Sequence, residues 1–313
     1  MQFRTAIPIP ESQFPIDYYS RILSLGSCFA VNIASKLDYY KFQNYCNPFG
    51  IIFNPVSIEK LIDRVVNKQF FTEKDIFFHN DFWHCFEVHS ELSHPDKVVF
   101  LEELNRIICD TYQQLIKVSH CLITYGTSWV YRNLESQQIV ANCHKVPQKK
   151  FSKELLSVDT IQHSIQNTIE KIQTINPDVK FVFTVSPVRH IKDGFVQNQQ
   201  SKAHLITAIH PFLGDEISYF PSYEIMMDEL RDYRFYAEDM LHPGQVAIDY
   251  IWQRFKETAV STSALTILEE IGNIQSGLNH RPFNPESKSH QKFVSKLQNR
   301  IAKICTQYPF LKF

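Results

Sequence analysis

Three short, nearly continuous apolar runs each stop at a turn-forming residue and give way to a stretch of helical period. Residues 21–25 (Arg-Ile-Leu-Ser-Leu) end at Gly26, after which Phe29, Ile33 and Leu37 recur at a spacing of four. His120 to Tyr125 end at Gly126, and Lys180 to Ser186 end at Pro187. A strand that is apolar on both sides must be covered on both faces, which is the condition of a parallel sheet in an α/β protein. The helices to cover it are legible between the runs: one opening at Ser57, one over 101–115, one capped by Ser157, one over 198–210, and one after Gly244 with Pro243 in its first turn. The expected fold is α/β, a doubly wound parallel sheet sandwiched by helices, with an aromatic, irregular stretch at 68–98.

The 313 residues allow two domains or one domain with an appendage, and the reading is a core over 1–260 followed by a C-terminal helical extension over 261–313. Basic and acidic residues balance, 32 against 33, so no nucleic-acid partner is expected. No window approaches the roughly 18 apolar residues of a membrane span, and the N-terminal stretch lacks an apolar leader core. A cytoplasmic protein with no membrane partner is therefore expected, its oligomeric state open. The 7 cysteines are odd in number and form no CxxC pair, which reads as reduced thiols. His79, His84, His89 and His94 recur every five residues, a spacing that shares neither a helix face nor a strand face, so no metal and no cofactor is expected. Glycine is scarce, 8 in 313. Each one is then expected where a side chain does not fit, Gly26, Gly50 and Gly126 above all.

In an open parallel sheet, ligands bind outside the carboxyl ends of the strands. Here those ends read Gly26-Ser27-Cys28, Gly126-Thr127-Ser128 and Ser186-Pro187-Val188-Arg189-His190. A thiol or hydroxyl where the first strand meets its helix sits at a helix N-terminus, whose N–H groups favour a thiolate or a developing oxyanion. Either Cys28 or Ser27 could be that nucleophile. Asp239 and His242, three apart at the mouth of a helix, supply a base and a carboxylate able to orient it. Arg189 and His190 are candidates for binding an anionic part of a substrate, or for a surface turn.

The stretch Leu23-Ser24-Leu25-Gly26-Ser27-Cys28-Phe29-Ala30 resembles the signature of the GSCFA family, an SGNH-hydrolase-like group of the GDSL-type esterase superfamily. Asn47 to Pro55, Gly126 to Tyr131, Asn142 to Lys145, Ser186 to His190, Tyr223 to Tyr236 and Asp239 to Pro243 resemble further blocks of that family, over about residues 15–260. The resemblance implies an SGNH/flavodoxin-like fold. The superfamily carries Gly-Asp-Ser in its first block, a glycine in the second, Gly-x-Asn-Asp in the third and Asp-x-x-His in the last. In that register Cys28 holds the nucleophile's place and Ser27 the aspartate's, while Gly50 and Gly126 take the glycines. Ser128 stands where the oxyanion-hole asparagine belongs, and Asn142 or His144 is expected to replace that donor.

The residues point to hydrolysis or transfer of an acyl group through a Cys28/His242/Asp239 triad, and the resemblance implies an ester, acetyl included, of a small molecule or carbohydrate as substrate. Two alternatives stand beside it: a non-catalytic ligand-binding protein with a degenerate cleft, favoured by the loss of the asparagine, and a cysteine peptidase.

Overall fold

In the computed structural model, which describes residues 5–313, β1 (Arg21–Gly26) turns tightly into α1 (Cys28–Tyr39), and β2 (Gln43–Cys46) returns beside β1. Then come α2 (Pro55–Val66), a hairpin of β3 (Phe77–His79) and β4 (Phe82–His84), α3 (Lys97–Leu115) and β5 (His120–Tyr125). An antiparallel excursion follows, β6 (Trp129–Asn133), β7 (Ile139–Val140) and β8 (Phe151–Leu155), before α4 (Val158–Ile175) and β9 (Lys180–Val185). After α5 (Phe195–Ile209) the chain forms β10 (Ile217–Tyr219) and a short turn α6 (Ser222–Glu224), then α7 (Gln245–Ala259), α8 (Thr262–Leu278) and α9 (Lys288–Gln307).

Five strands make the central sheet in the order β10-β9-β5-β1-β2, every pairing parallel. Counting only these strands along the chain, the order is 2-1-3-4-5, the flavodoxin-like arrangement, with its topological switch between β1 and β5. Successive residues of each strand feed opposite faces. Leu23, Cys121 and Phe181 join one core with Leu61 of α2, Ile108 of α3, Ile165 of α4 and Leu205 of α5. Their neighbours Ile22, Leu122 and Val182 join the other with Phe29 and Leu37 of α1, Ile251 of α7, Leu268 of α8 and Leu297 of α9. This is the sandwich that the doubly apolar runs require, and the C-terminal helices contribute to its second core. Among the described residues no helix is long and apolar enough to cross a membrane.

Several local expectations are corrected. β2 and β10 are edge strands of four and three residues; edge strands are commonly short and half-covered, so neither carries an apolar run. The excursion β6–β8 carries no continuous apolar run to mark it in the sequence, and the irregular stretch at 68–98 holds the β3–β4 hairpin. α2 is capped by Asn54, whose Oδ1 accepts the Ser57 N–H at 2.8 Å, and not by Ser57. Pro243 precedes Gly244, the cap of α7, and so lies outside that helix. Ser157 caps α4 as read, accepting the Thr160 N–H at 3.1 Å.

Candidate active site

The switch between β1 and β5 leaves a crevice at the strand ends, and the turn out of β1 is built to fit it. Gly26 has φ +131°, and a Cβ there would lie 2.1 Å from the Thr124 carbonyl oxygen of β5. Only glycine lets the two backbones meet so closely. Asn47, just past β2, fastens the turn: its Oδ1 accepts the Gly26 N–H at 2.8 Å and its Nδ2 donates to the Gly26 carbonyl at 3.2 Å. Ser27 is 1% exposed and is the N-cap of α1, accepting the Phe29 N–H at 3.2 Å. Cys28 is the first residue of α1 and is half-buried. Burial pushes its thiol up, while the N–H groups of Phe29 and of Cys28 itself and the charge of Lys202 pull it down; Asp239 adds a smaller upward push. Burial prevails, so the resting thiol needs a base.

Asp239 and His242 meet on the loop entering α7. Met240, at φ +59°, folds that loop back on itself. The Asp239 Oδ1 accepts the Leu241 and His242 N–H groups at 2.9 and 3.0 Å, and its Oδ2 meets His242 Nδ1 at 2.6 Å. These bonds, the His242 backbone N–H first, its ring next and the Leu241 N–H third, hold the carboxyl at about 2. A permanently ionised acceptor at Nδ1 places the ring proton there and leaves Nε2 as the basic nitrogen. Arg189 braces the same loop, its N–H donating to the Leu241 carbonyl at 3.1 Å and its Nη1 to that of Met240 at 3.0 Å. Its guanidinium lies 5.5 Å from the Tyr233 ring centre and 5.4 Å from that of Tyr236.

Cys28 and His242 line one cleft of about 520 Å³, together with Ser27, Arg189, His190, Asn142 and the rings of Phe53, Trp129 and Tyr131. No hydrogen bond joins the Cys28 sulfur to His242 in this structure. Of the motif and replacement residues, Gly50, Gly126, Ser128 and His144 have donors engaged elsewhere. The Gly50 N–H closes a turn onto the Asn47 carbonyl at 2.8 Å, and that of Gly126 donates to Phe53 at 2.8 Å. Ser128 is fully buried, with its N–H and hydroxyl both spent on Ser201 of α5. His144 lies buried against the β3–β4 hairpin, its Nε2 meeting the Cys85 carbonyl at 2.7 Å, and burial takes its imidazole down to about 4. Asn142 differs: its Oδ1 accepts the His144 N–H at 2.8 Å, and its Nδ2 is left as an unengaged donor in the cleft wall. His79 and His84 pack in the hairpin, where the His84 Nε2 meets the His79 carbonyl. Among the described residues no group of three or more His, Cys, Asp or Glu side chains could hold a metal ion.

The sequence reading passed over Lys202. It lies on α5, fully buried, and its Nζ donates to the strand-end carbonyls of Gly126 at 2.6 Å and Ser186 at 2.7 Å. The available signal was its place in the turn Asn198, Ser201, Lys202, Leu205, all of them buried on one face of the helix.

A family model described as the GSCFA family matches residues 21–255, and a second, described as the C-terminal domain of GSCFA domain proteins, matches residues 271–313. No curated protein matches the chain in sequence. Among solved structures, a carbohydrate esterase family 3 from Talaromyces cellulolyticus is similar at 6% identity, over 80% of this chain and 99% of that one, with a TM-score of 0.39.

Proposed function

The chain belongs to the GSCFA family, and from that footing we propose that it is an SGNH-like hydrolase or transferase of acyl groups in which Cys28 is the nucleophile. The reading is carried by one observation: a thiol at a helix N-terminus and an imidazole oriented by a carboxylate line the same cleft, at the switch point of the sheet. Its volume, about 520 Å³, suits a small molecule. The aromatic walls suit a carbohydrate ester as well as a simple one.

In the proposed reaction, Nε2 of His242 takes the Cys28 proton as the sulfur attacks the ester carbonyl carbon. The oxyanion faces the Cys28 N–H and the Asn142 amide, which take the parts left empty by Gly50, Gly126 and Ser128. Collapse of the adduct breaks the bond to the alcohol, which leaves with the proton from His242. Water or an acceptor hydroxyl then gives its proton to Nε2 and attacks the thioester carbonyl; collapse breaks the C–S bond, releases the acyl product, and returns that proton from His242 to the departing Cys28 sulfur. Asp239 stays ionised throughout. The hydrogen bond between the Cys28 sulfur and Nε2 is expected to form as substrate binds, since catalytic hydrogen bonds often tighten only then.

A panel of short acyl esters and acyl thioesters, read by intact mass and peptide mapping, tests this. Turnover with a transient acyl adduct on the peptide holding Cys28 is expected. Neither turnover nor adduct on any substrate would instead leave a binding protein. Asn142→Ala is expected to lower kcat by about a hundredfold with little change in KM, as loss of one oxyanion donor does. An unchanged kcat removes Asn142 from that role.

A further inference from the structure

His242 stands on a loop that holds its own shape but has little to hold its place. Between Phe235 and Gly244 the chain folds back on itself: the Ala237 N–H donates to the His242 carbonyl at 2.8 Å, the Met240 N–H to that of Ala237 at 2.9 Å and the Gly244 N–H to that of Phe235 at 2.7 Å, and Tyr236 bridges Pro243. No side chain from Ala237 to His242 is buried. Packing therefore contributes little, and the place of the imidazole depends on hydrogen bonds to the body of the fold. Among the described residues, both hydrogen bonds that join Ala237–His242 to the loops at the strand ends come from Arg189, one from its N–H to the Leu241 carbonyl and one from its Nη1 to that of Met240.

Arg189 is itself fixed. Val188 before it is buried in the second core, and the His190 N–H after it donates at 2.8 Å to Oδ1 of Asn198, a buried residue of α5. Its guanidinium faces three rings, Phe195 at 5.5 Å joining Tyr233 and Tyr236. A planar cation can meet rings on its faces and a carbonyl at its edge at once, which an ammonium does less well.

The geometry points to Arg189 as a positioning residue of the proposed reaction: it sets where the Asp239–His242 pair stands over the cleft, and it acts on the Cys28 proton through that pair, not on the ester. The role rests on the reading of His242 as base. The 2.6 Å contact with Asp239 orients the ring within its own loop. Arg189 supplies the other half, the placement of that loop against the strand ends, where Cys28 and His242 line one cleft. One of its two bonds is main-chain and survives substitution, so loss of the side chain is expected to cost about tenfold in rate, less than the roughly hundredfold of a fully misplaced group.

The test pairs a measurement on the free chain with one on turnover. In the free chain, hydrogen exchange of the peptide spanning 235–244 is expected to quicken about tenfold in Arg189→Met, while peptides from β1 and β5 keep their native protection. Unchanged exchange in 235–244 overturns the proposal whatever the activity. With an ester that is turned over, Arg189→Met is expected to lower kcat about tenfold at unchanged KM, and to bring no further fall once His242 is replaced by alanine. A raised KM at unchanged kcat makes Arg189 a receptor for an anionic part of the substrate, a role its place in the cleft wall allows, and overturns the proposal. So does a fall that multiplies with that of His242→Ala. Should Arg189→Met fail to fold, Arg189→Lys, which keeps the charge and loses the planar fork, carries the same measurements with the same overturning outcomes. If the native chain turns over no ester, the base falls and the catalytic part of the role falls with it, while exchange still reports the brace. If esters are turned over and exchange is unmoved, the brace alone falls.

Discussion

Cys28→Ala is expected to lower turnover of any acyl substrate by at least about a thousandfold and to abolish the covalent adduct, with the fold intact. The rate loss follows from removing the atom that forms the covalent bond, and the residue that remains is of the size seen when one member of a triad is deleted. The fold should persist because alanine at the first position of α1 disturbs neither the Ser27 cap nor the backbone of the turn. Ser27 is the competing nucleophile, and the same variant separates the two. Its hydroxyl accepts the Phe29 N–H and is almost wholly buried, which suits a cap better than an attacking group. An acyl adduct that forms undiminished in Cys28→Ala, mapped to Ser27, would sink the cysteine assignment while sparing the acyl-transfer reading. A fall in turnover with unchanged thermal stability is the outcome that supports it.

Gly26→Ala is expected to cost about 3 kcal/mol or more in stability, among the larger effects of adding one methyl group. Two penalties act together. At φ +131° the backbone is one that an L-residue rarely adopts, and the new Cβ would stand 2.1 Å from the Thr124 carbonyl oxygen, a backbone atom that cannot swing away. Relief requires β1 and β5 to part, and Gly26 pairs with Thr124 in the register that joins them. Parting them would also loosen Asn47, which holds both the N–H and the carbonyl of Gly26. Urea denaturation measures the cost; a loss under about 1 kcal/mol would show that the turn can relax and that the glycine is not required.

The core strands were legible because burial on both faces leaves a mark that needs no tertiary knowledge. Residues 21–25, 120–125 and 180–186 became β1, β5 and β9 almost to the residue. The helices covering them were legible for the same reason, since one buried stripe recurs every three or four positions. Where one face is open to solvent the mark fades, which is why Gln43–Cys46 and Ile217–Tyr219 carry no continuous apolar run. The antiparallel excursion Trp129–Leu155 left no such run, its residues alternating between buried, half-buried and exposed.

For the site, residue types and spacing were enough to single out Cys28, Asp239 and His242 as candidates, and to place a glycine where the first strand must turn. An aspartate three residues before a histidine can reach its ring through local geometry alone, and the 2.6 Å contact is a property of a four-residue segment. Which donors remain free is a different kind of fact. Gly50, Gly126 and Ser128 occupy motif positions, yet their hydrogen bonds go to Asn47, Phe53 and Ser201, partners up to 73 residues away in the chain. Lys202 reads as an ordinary surface lysine until α5 packs against the ends of β5 and β9, 76 and 16 residues distant. Periodicity and local turns are written along the chain; satisfaction of a polar group, and the field of a buried charge, exist only once distant segments have closed around it.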